Sequence, residues 1–115
     1  MVESDTEALD SILRALADPT RRAMLRLLAN GECSVGELAA PFHMSFAGAA
    51  KHVKALESAG LVSRTVAGRT HVCRLEAAPL AAVDEWLRFY EVFWRGRLDE
   101  LHRVLSEASS RDEGA

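Results

Sequence analysis

Three nitrogen-bearing side chains stand close together in the middle of this chain: Lys51, His52 and Lys54. The two lysines are the only ones in the sequence. Ammonium and imidazole N–H groups at this spacing donate to guanine N7 and O6 or to phosphate oxygens. Lys51 and His52 suit either target, and Lys54 suits the phosphate backbone. Just upstream run Ser45, Phe46, Ala47 and Gly48. A serine is a good N-cap, small residues allow close approach to base edges, and the free N–H groups of a helix start favour phosphate. Downstream come Arg64, Arg69 and Thr70. An arginine at the tip of a hairpin suits a minor groove, where narrow A·T tracts attract it. These ten positions, 45–48, 51, 52, 54, 64, 69 and 70, are the candidate DNA-binding residues.

A net charge of −3 over 115 residues runs against that reading until its distribution is resolved. Residues 1–40 hold four arginines against seven acids, and residues 76–115 hold five against nine. Residues 41–75 hold five cations against Glu57 alone. A local field steers a polyanion even when the total charge is negative. The acidic flanks repel DNA and orient its approach.

The elements that must position this block follow from periodicity and punctuation. Leu9, Ile12, Leu13 and Leu16 form an apolar stripe on a first helix over about 6–17. Asp18-Pro19 is an N-cap followed by a proline in the first turn, and a second helix runs from there to about Ala29, stopped by Asn30-Gly31. Ser34 and Glu37 have the spacing of a capping box. It opens a short third helix whose apolar residues are Val35, Leu38, Ala39 and Phe42. A fourth helix follows Ser45, with Ala49, Val53, Leu56 and Gly60 inward and Ala47, Lys51, Lys54 and Ser58 outward. Two strands, Leu61–Val66 and Arg69–Leu75, meet at a turn of Ala67-Gly68. Helix, turn, helix and hairpin in that order predict a mainly α, winged helix-turn-helix fold of five helices with a two-stranded wing.

The length fits one domain spanning 1–115, with frayed ends at 1–4 and 107–115. A long last helix opens at Pro79 and runs to about Ser106. Its apolar side chains cover more of its surface than one contact face needs, so a helix of a second copy is expected against it. The candidate dimer interface is Leu9, Ile12 and Leu13 with Trp86, Tyr90, Phe93, Trp94, Leu98 and Leu101.

The chain also resembles a known family. Leu16-Ala17-Asp18-Pro19-Thr20-Arg21-Arg22, Val35-Gly36-Glu37-Leu38-Ala39, Met44-Ser45 with Lys51-His52-Val53-Lys54-Ala55-Leu56, and Ala59-Gly60-Leu61-Val62 look like the ArsR family of bacterial winged-helix repressors. The resemblance covers about residues 9–105. It implies a homodimeric transcriptional repressor on a palindromic operator, with the first and last helices at the dimer interface. The last helix looks most like the SdpR-like branch. Metal sensors of the family carry a Cys-x-Cys pair where Ser34 and Gly36 stand here, so the resemblance implies no metal there. Another sensor pattern of the family, Asp-x-His, is replaced by Asp84-Glu85-Trp86. Ser45-Phe46-Ala47-Gly48-Ala49-Ala50 also departs from the common Ser-Gln-Pro-Ala-Val-Ser, so the operator sequence does not carry over.

Other chemistries are weaker. No apolar run approaches the ~20 residues of a membrane span, and the acidic start is no signal peptide, so a cytoplasmic protein is expected. Cys33 and Cys73 lie far apart in sequence and form no CxxC motif, and reduced thiols are the expectation. Asp99 and His102 fall three apart on the last helix, a pattern that suits a surface salt bridge better than an inter-subunit metal site. No Ser/His/Asp set, paired-carboxylate cleft or phosphate-cradling glycine loop is present, so neither an enzyme nor a cofactor is expected. Three functions stay open: a DNA-binding repressor, a thiol- or ligand-gated sensor on the same fold, and a winged-helix protein-interaction adaptor. In the second, an unidentified small-molecule effector sits among Trp86, Phe89, Tyr90, Phe93 and Trp94.

Overall fold

Among the described residues, apolar spacing and capping signals convert into six α-helices and a three-stranded sheet. The structure, a computed structural model, describes the backbone of residues 2–114 and the side chains of residues 6–109. The elements are α1 (Val2–Leu16), α2 (Pro19–Ala29), β1 (Cys33–Ser34), α3 (Val35–Ala39), α4 (Phe46–Ser58), β2 (Val62–Ala67), β3 (Thr70–Leu75), α5 (Leu80–Phe89) and α6 (Glu91–Gly114). A single 3-10 turn, Ala40–Phe42, extends α3. Helix occupies most of both end segments; Met1 and Ala115, which also fall there, lie outside the described residues.

The helix starts form as the sequence predicts. Asp18 accepts from Arg21 N at 3.1 Å. Ser34 and Glu37 make the reciprocal capping box, at 3.1 and 3.0 Å. Arg21 and Arg22 have a role that spacing did not show. Arg21 donates to Ala15 O at 2.7 Å and to Arg14 O at 3.1 Å, and Arg22 donates to Leu16 O at 2.7 Å. They satisfy the orphan carbonyls at the end of α1 from the helix that follows it.

Two differences from expectation change the number of elements. First, the sheet has a third strand: its order is β1-β3-β2, with Cys33 opposite Cys73 and Ser34 opposite Val72. A strand of two residues has no periodicity to detect. Second, the last helix is two helices. Tyr90 N bonds to Leu87 O and Phe93 N to Tyr90 O, both at 2.9 Å. These i→i+3 bonds replace the α pattern around Tyr90, whose ring packs edge-on against Trp86 at 5.5 Å and Phe89 at 5.0 Å. Aromatic and β-branched residues weaken a helix interior, and Glu91 suits a new helix start.

The chain divides into two compact units, residues 1–83 and 84–115. The first has a closed core. Met24, Leu38, Leu56, Leu61, Val35, Val53 and Cys73 are its largest fully enclosed side chains. Leu16, Phe42, Met44, Leu75, Leu80 and Val83 pack around it. Among described residues 84–109, none is buried.

Candidate nucleic-acid interface

The core fixes which face of α4 remains free. Ala49, Val53 and Leu56 are fully enclosed, which turns Phe46, Ala47, Lys51, Lys54 and Ser58 to solvent. Gly48, His52 and Ala55 are half-buried at the margin. Ser45 caps the helix by accepting from Gly48 N at 3.0 Å. A Cβ on Gly48 would come within 3.3 Å of that cap oxygen, so a small residue keeps the helix start intact. The turn before it passes through His43 in the left-handed region, at φ 52°. Phe46 leaves 60% of its surface open at the first turn.

Gly60 stops α4, as Ala59-Gly60 predicts, and does not join the inward stripe of the helix. It is exposed, with φ 76°. Gly60 N bonds to Glu57 O and Leu61 N to Leu56 O, both at 2.9 Å. That is the Schellman pattern, in which a left-handed glycine ends the helix and the next apolar residue, Leu61, turns back into the core.

The wing is β2 and β3, paired from Val62 with Leu75 to Ala67 with Thr70. The turn is therefore Gly68-Arg69, one residue later than expected. Gly68 takes the positive φ, 65°, that a glycine-first two-residue hairpin turn requires. Arg69 and Thr70 stand exposed at the tip. Arg64 is placed elsewhere. It is half-buried, and its guanidinium is bound to Glu57 on α4, with Nε 3.1 Å from the carboxylate oxygen. Its own pKa is pushed up, first by that hydrogen bond. Arg74 pairs with Glu32, at 2.7 Å. Of the five cations in residues 41–75, Lys51, Lys54 and Arg69 thus remain without a carboxylate partner among the described residues.

His52 lies near the start of α2. The Asp18 carboxyl there is held below its ordinary value of 3.8, first by the hydrogen bond from Arg21 N and lastly by the charge of His52. In the expected dimer surface, Ile12 is 4% exposed and belongs to the subunit's own core, so a partner cannot cover it. Leu9 and Leu13 are half-buried. Trp86, Tyr90, Phe93, Leu98 and Leu101 are exposed, and Trp94 is half-buried. A groove of about 530 Å³ on the second unit is lined by Asp84, Leu87, Arg88, Glu91, Trp94 and Arg95, four of them charged. No group of three or more His, Cys, Asp or Glu gathers among the described residues.

A short helix, a turn, a second helix with a cationic outer face, and a hairpin with an arginine at its tip define a winged helix-turn-helix DNA-binding module. A helix-turn-helix domain family matches residues 16–65. The chain is 42% identical over 74 residues to the HTH-type transcriptional regulator Rv2034 of Mycobacterium tuberculosis, covering 64% of this chain and 69% of that protein. The crystal structure of the ArsR family transcriptional regulator RHA00566 superposes with a TM-score of 0.73 at 41% identity, over 78% of this chain and 93% of that one. A solution structure of the homodimeric winged helix-turn-helix DNA-binding domain Mb0332 of Mycobacterium bovis, a fragment of residues 1–100, gives 0.61 at 28%, over 74% and 82%. The chain belongs to the ArsR family of winged helix-turn-helix regulators and is a DNA-binding transcriptional regulator.

Proposed function

We propose that this chain represses transcription by binding a palindromic operator as a homodimer. One observation carries the reading: Lys51, Lys54 and Arg69, the cations of residues 41–75 left without carboxylate partners, all belong to α4 and the wing tip. Each α4 would enter a major groove, with the two copies about one helical turn, ~34 Å, apart. Lys51 and the helix start meet base edges or phosphate, Lys54 meets phosphate, and Arg69 reaches the adjoining minor groove. Phe46 offers the 5-methyl group of a thymine an apolar contact. Occupying the operator excludes polymerase, and the site needs binding chemistry alone, with no catalytic group.

The second copy is expected on the aromatic face of residues 86–101. Trp86, Phe93, Leu98 and Leu101 are large apolar side chains left open in the single chain. That a neighbouring structure is of a homodimeric domain supports pairing of two copies.

The test is a gel-shift on the DNA upstream of the chain's own gene, repeated over a salt series. The double variant Lys51→Ala, Arg69→Ala is expected to weaken binding and to lower the slope of log K against log salt by ~1–2 units. An unchanged slope would remove both side chains from the phosphate contact. No shift on any duplex, together with retained folding, would favour a protein-interaction adaptor.

A further inference from the structure

The fold brings together the two residues that sequence separation kept apart. Cys33 on β1 and Cys73 on β3 are direct partners in an antiparallel ladder. Such partners point to the same face of the sheet, with Cα atoms ~4.5–5.5 Å apart. Disulfide-bonded cysteines span ~4.4–6.8 Å between Cα atoms, so the backbone already satisfies that separation. Both thiols are free, and they are the only two in the chain. Cys73 is wholly enclosed, whereas Cys33 is half-exposed. Cys33 makes one weak bond, to Gly31 O at 3.6 Å, and turning its side chain toward Cys73 breaks only that.

We propose that Cys33 and Cys73 are a reversible disulfide site that closes on exposure to a hydroperoxide and staples β1 to β3. The bond encloses α3, α4 and β2 in one covalent loop. The Cys33 thiolate attacks the peroxide, the O–O bond breaks, and Cys33 becomes a sulfenic acid. The departing oxygen takes up the thiol proton as water or an alcohol. The Cys73 thiolate then attacks the Cys33 sulfur, the S–O bond breaks, and hydroxide leaves with the second proton as water. The peroxide gains two electrons, one supplied by each sulfur. Reduction by a small thiol runs back through a mixed disulfide at Cys33. Exposure sets the order, because only Cys33 is open to the oxidant and only Cys73 is shielded from it.

Burial sets the rate. It pushes the Cys33 thiol above its ordinary value, and the charge of Glu37 adds to that. Burial also raises Cys73, with the charge of Arg64 across the ladder opposing. Both groups are therefore protonated at neutral pH, and oxidation speeds up ~tenfold per pH unit below the thiol value. The bond joins positions already paired, so no ladder contact has to break. It restricts the unfolded chain and acts as a lock on the fold.

The test uses the reduced full-length chain and hydrogen peroxide, and it needs no DNA. The expected result is joint loss of both titratable thiols and a mass lower by two hydrogens. The protein stays a single chain on a non-reducing gel, and a cross-linked peptide pair contains Cys33 and Cys73. Tm rises by several degrees and dithiothreitol restores it. Cys33→Ser is expected to show no such rise, its Cys73 thiol staying protected while the protein is folded. Two free thiols persisting in the folded chain, over-oxidation of Cys33 alone, or cross-links only between chains would each overturn the assignment.

Discussion

Residues up to 83 and residues from 84 onward hold similar kinds of side chains to opposite effect. The first unit encloses its apolar residues behind capped helices and a sheet. The second displays Trp86, Phe89, Val92, Phe93, Leu98, Leu101, Val104 and Leu105 on two helices with nothing buried among the described residues. Apolar content alone does not make a core; it takes elements from several directions to close over it. The first unit has them within its own sequence. The second leaves its large apolar side chains open, and in the dimer proposed above each copy would supply the missing layer to the other.

The largest expected effect follows from that difference. Leu56→Ala removes a fully enclosed side chain beneath α4 and is expected to cost ~2–5 kcal/mol, whatever the protein concentration. Phe93→Ala removes a ring that is 70% exposed in the single chain. Its expected effect is on association: a dimer dissociation constant raised by a factor of ~5 or more, with the effect on stability disappearing at protein concentrations well below the dissociation constants. Denaturant titrations at two concentrations, with sedimentation, separate the two. If Phe93→Ala destabilises at every concentration as Leu56→Ala does, the second unit has an internal core after all.

Much of the first unit was legible because its signals are local. Asp18, Ser34 and Ser45 each cap a helix, and Gly60 stops one, all within a few residues of the groups they serve. The outer face of α4 followed from helical period alone. The third strand did not, because β1 exists only through its pairing with β3. Neither did Arg64: a positive charge in a cationic block looks available until the fold sets Glu57 beside it. The break at Tyr90 has no Pro or Gly to announce it, only ring contacts and a shift in hydrogen bonding.

Capping gives the next prediction, on the unit whose accounts close locally. Ser45→Ala leaves Gly48 N without its acceptor and is expected to cost ~1 kcal/mol. Because this cap orders the reading end of α4, DNA affinity should fall along with stability. Ser34→Ala, at the other end of the helix-turn-helix, should cost a similar amount with less effect on affinity. Equal losses of affinity in the two variants would mean that the start of α4 holds no privileged place in binding.

Acid sharpens the same point. Glu37 is held below its ordinary 4.5, first by the hydrogen bond it accepts from Ser34 N, and Asp18 below 3.8. A depressed carboxyl stabilises the fold fully above its unfolded value, and that contribution drains away as pH falls through the folded one. Stability from these two caps should therefore be flat above about pH 4.5 and decline below it. Glu37→Gln should flatten part of that decline. A decline starting well above this window would point to other groups.

The smallest expected effect concerns His71, on β3 beside Cys73. Its Nδ1 is buried with no hydrogen-bond partner among the described residues. A buried polar atom left unpaired costs ~1–3 kcal/mol, while a β-branched side chain opposite Val66 packs well on a strand. His71→Val is therefore expected to leave stability unchanged or raise it by up to ~1 kcal/mol, offset by the lost area of the ring. A measured loss above that size would mean that the imidazole holds something in place that its own hydrogen bonding does not reveal, and a denaturant titration of the variant decides it.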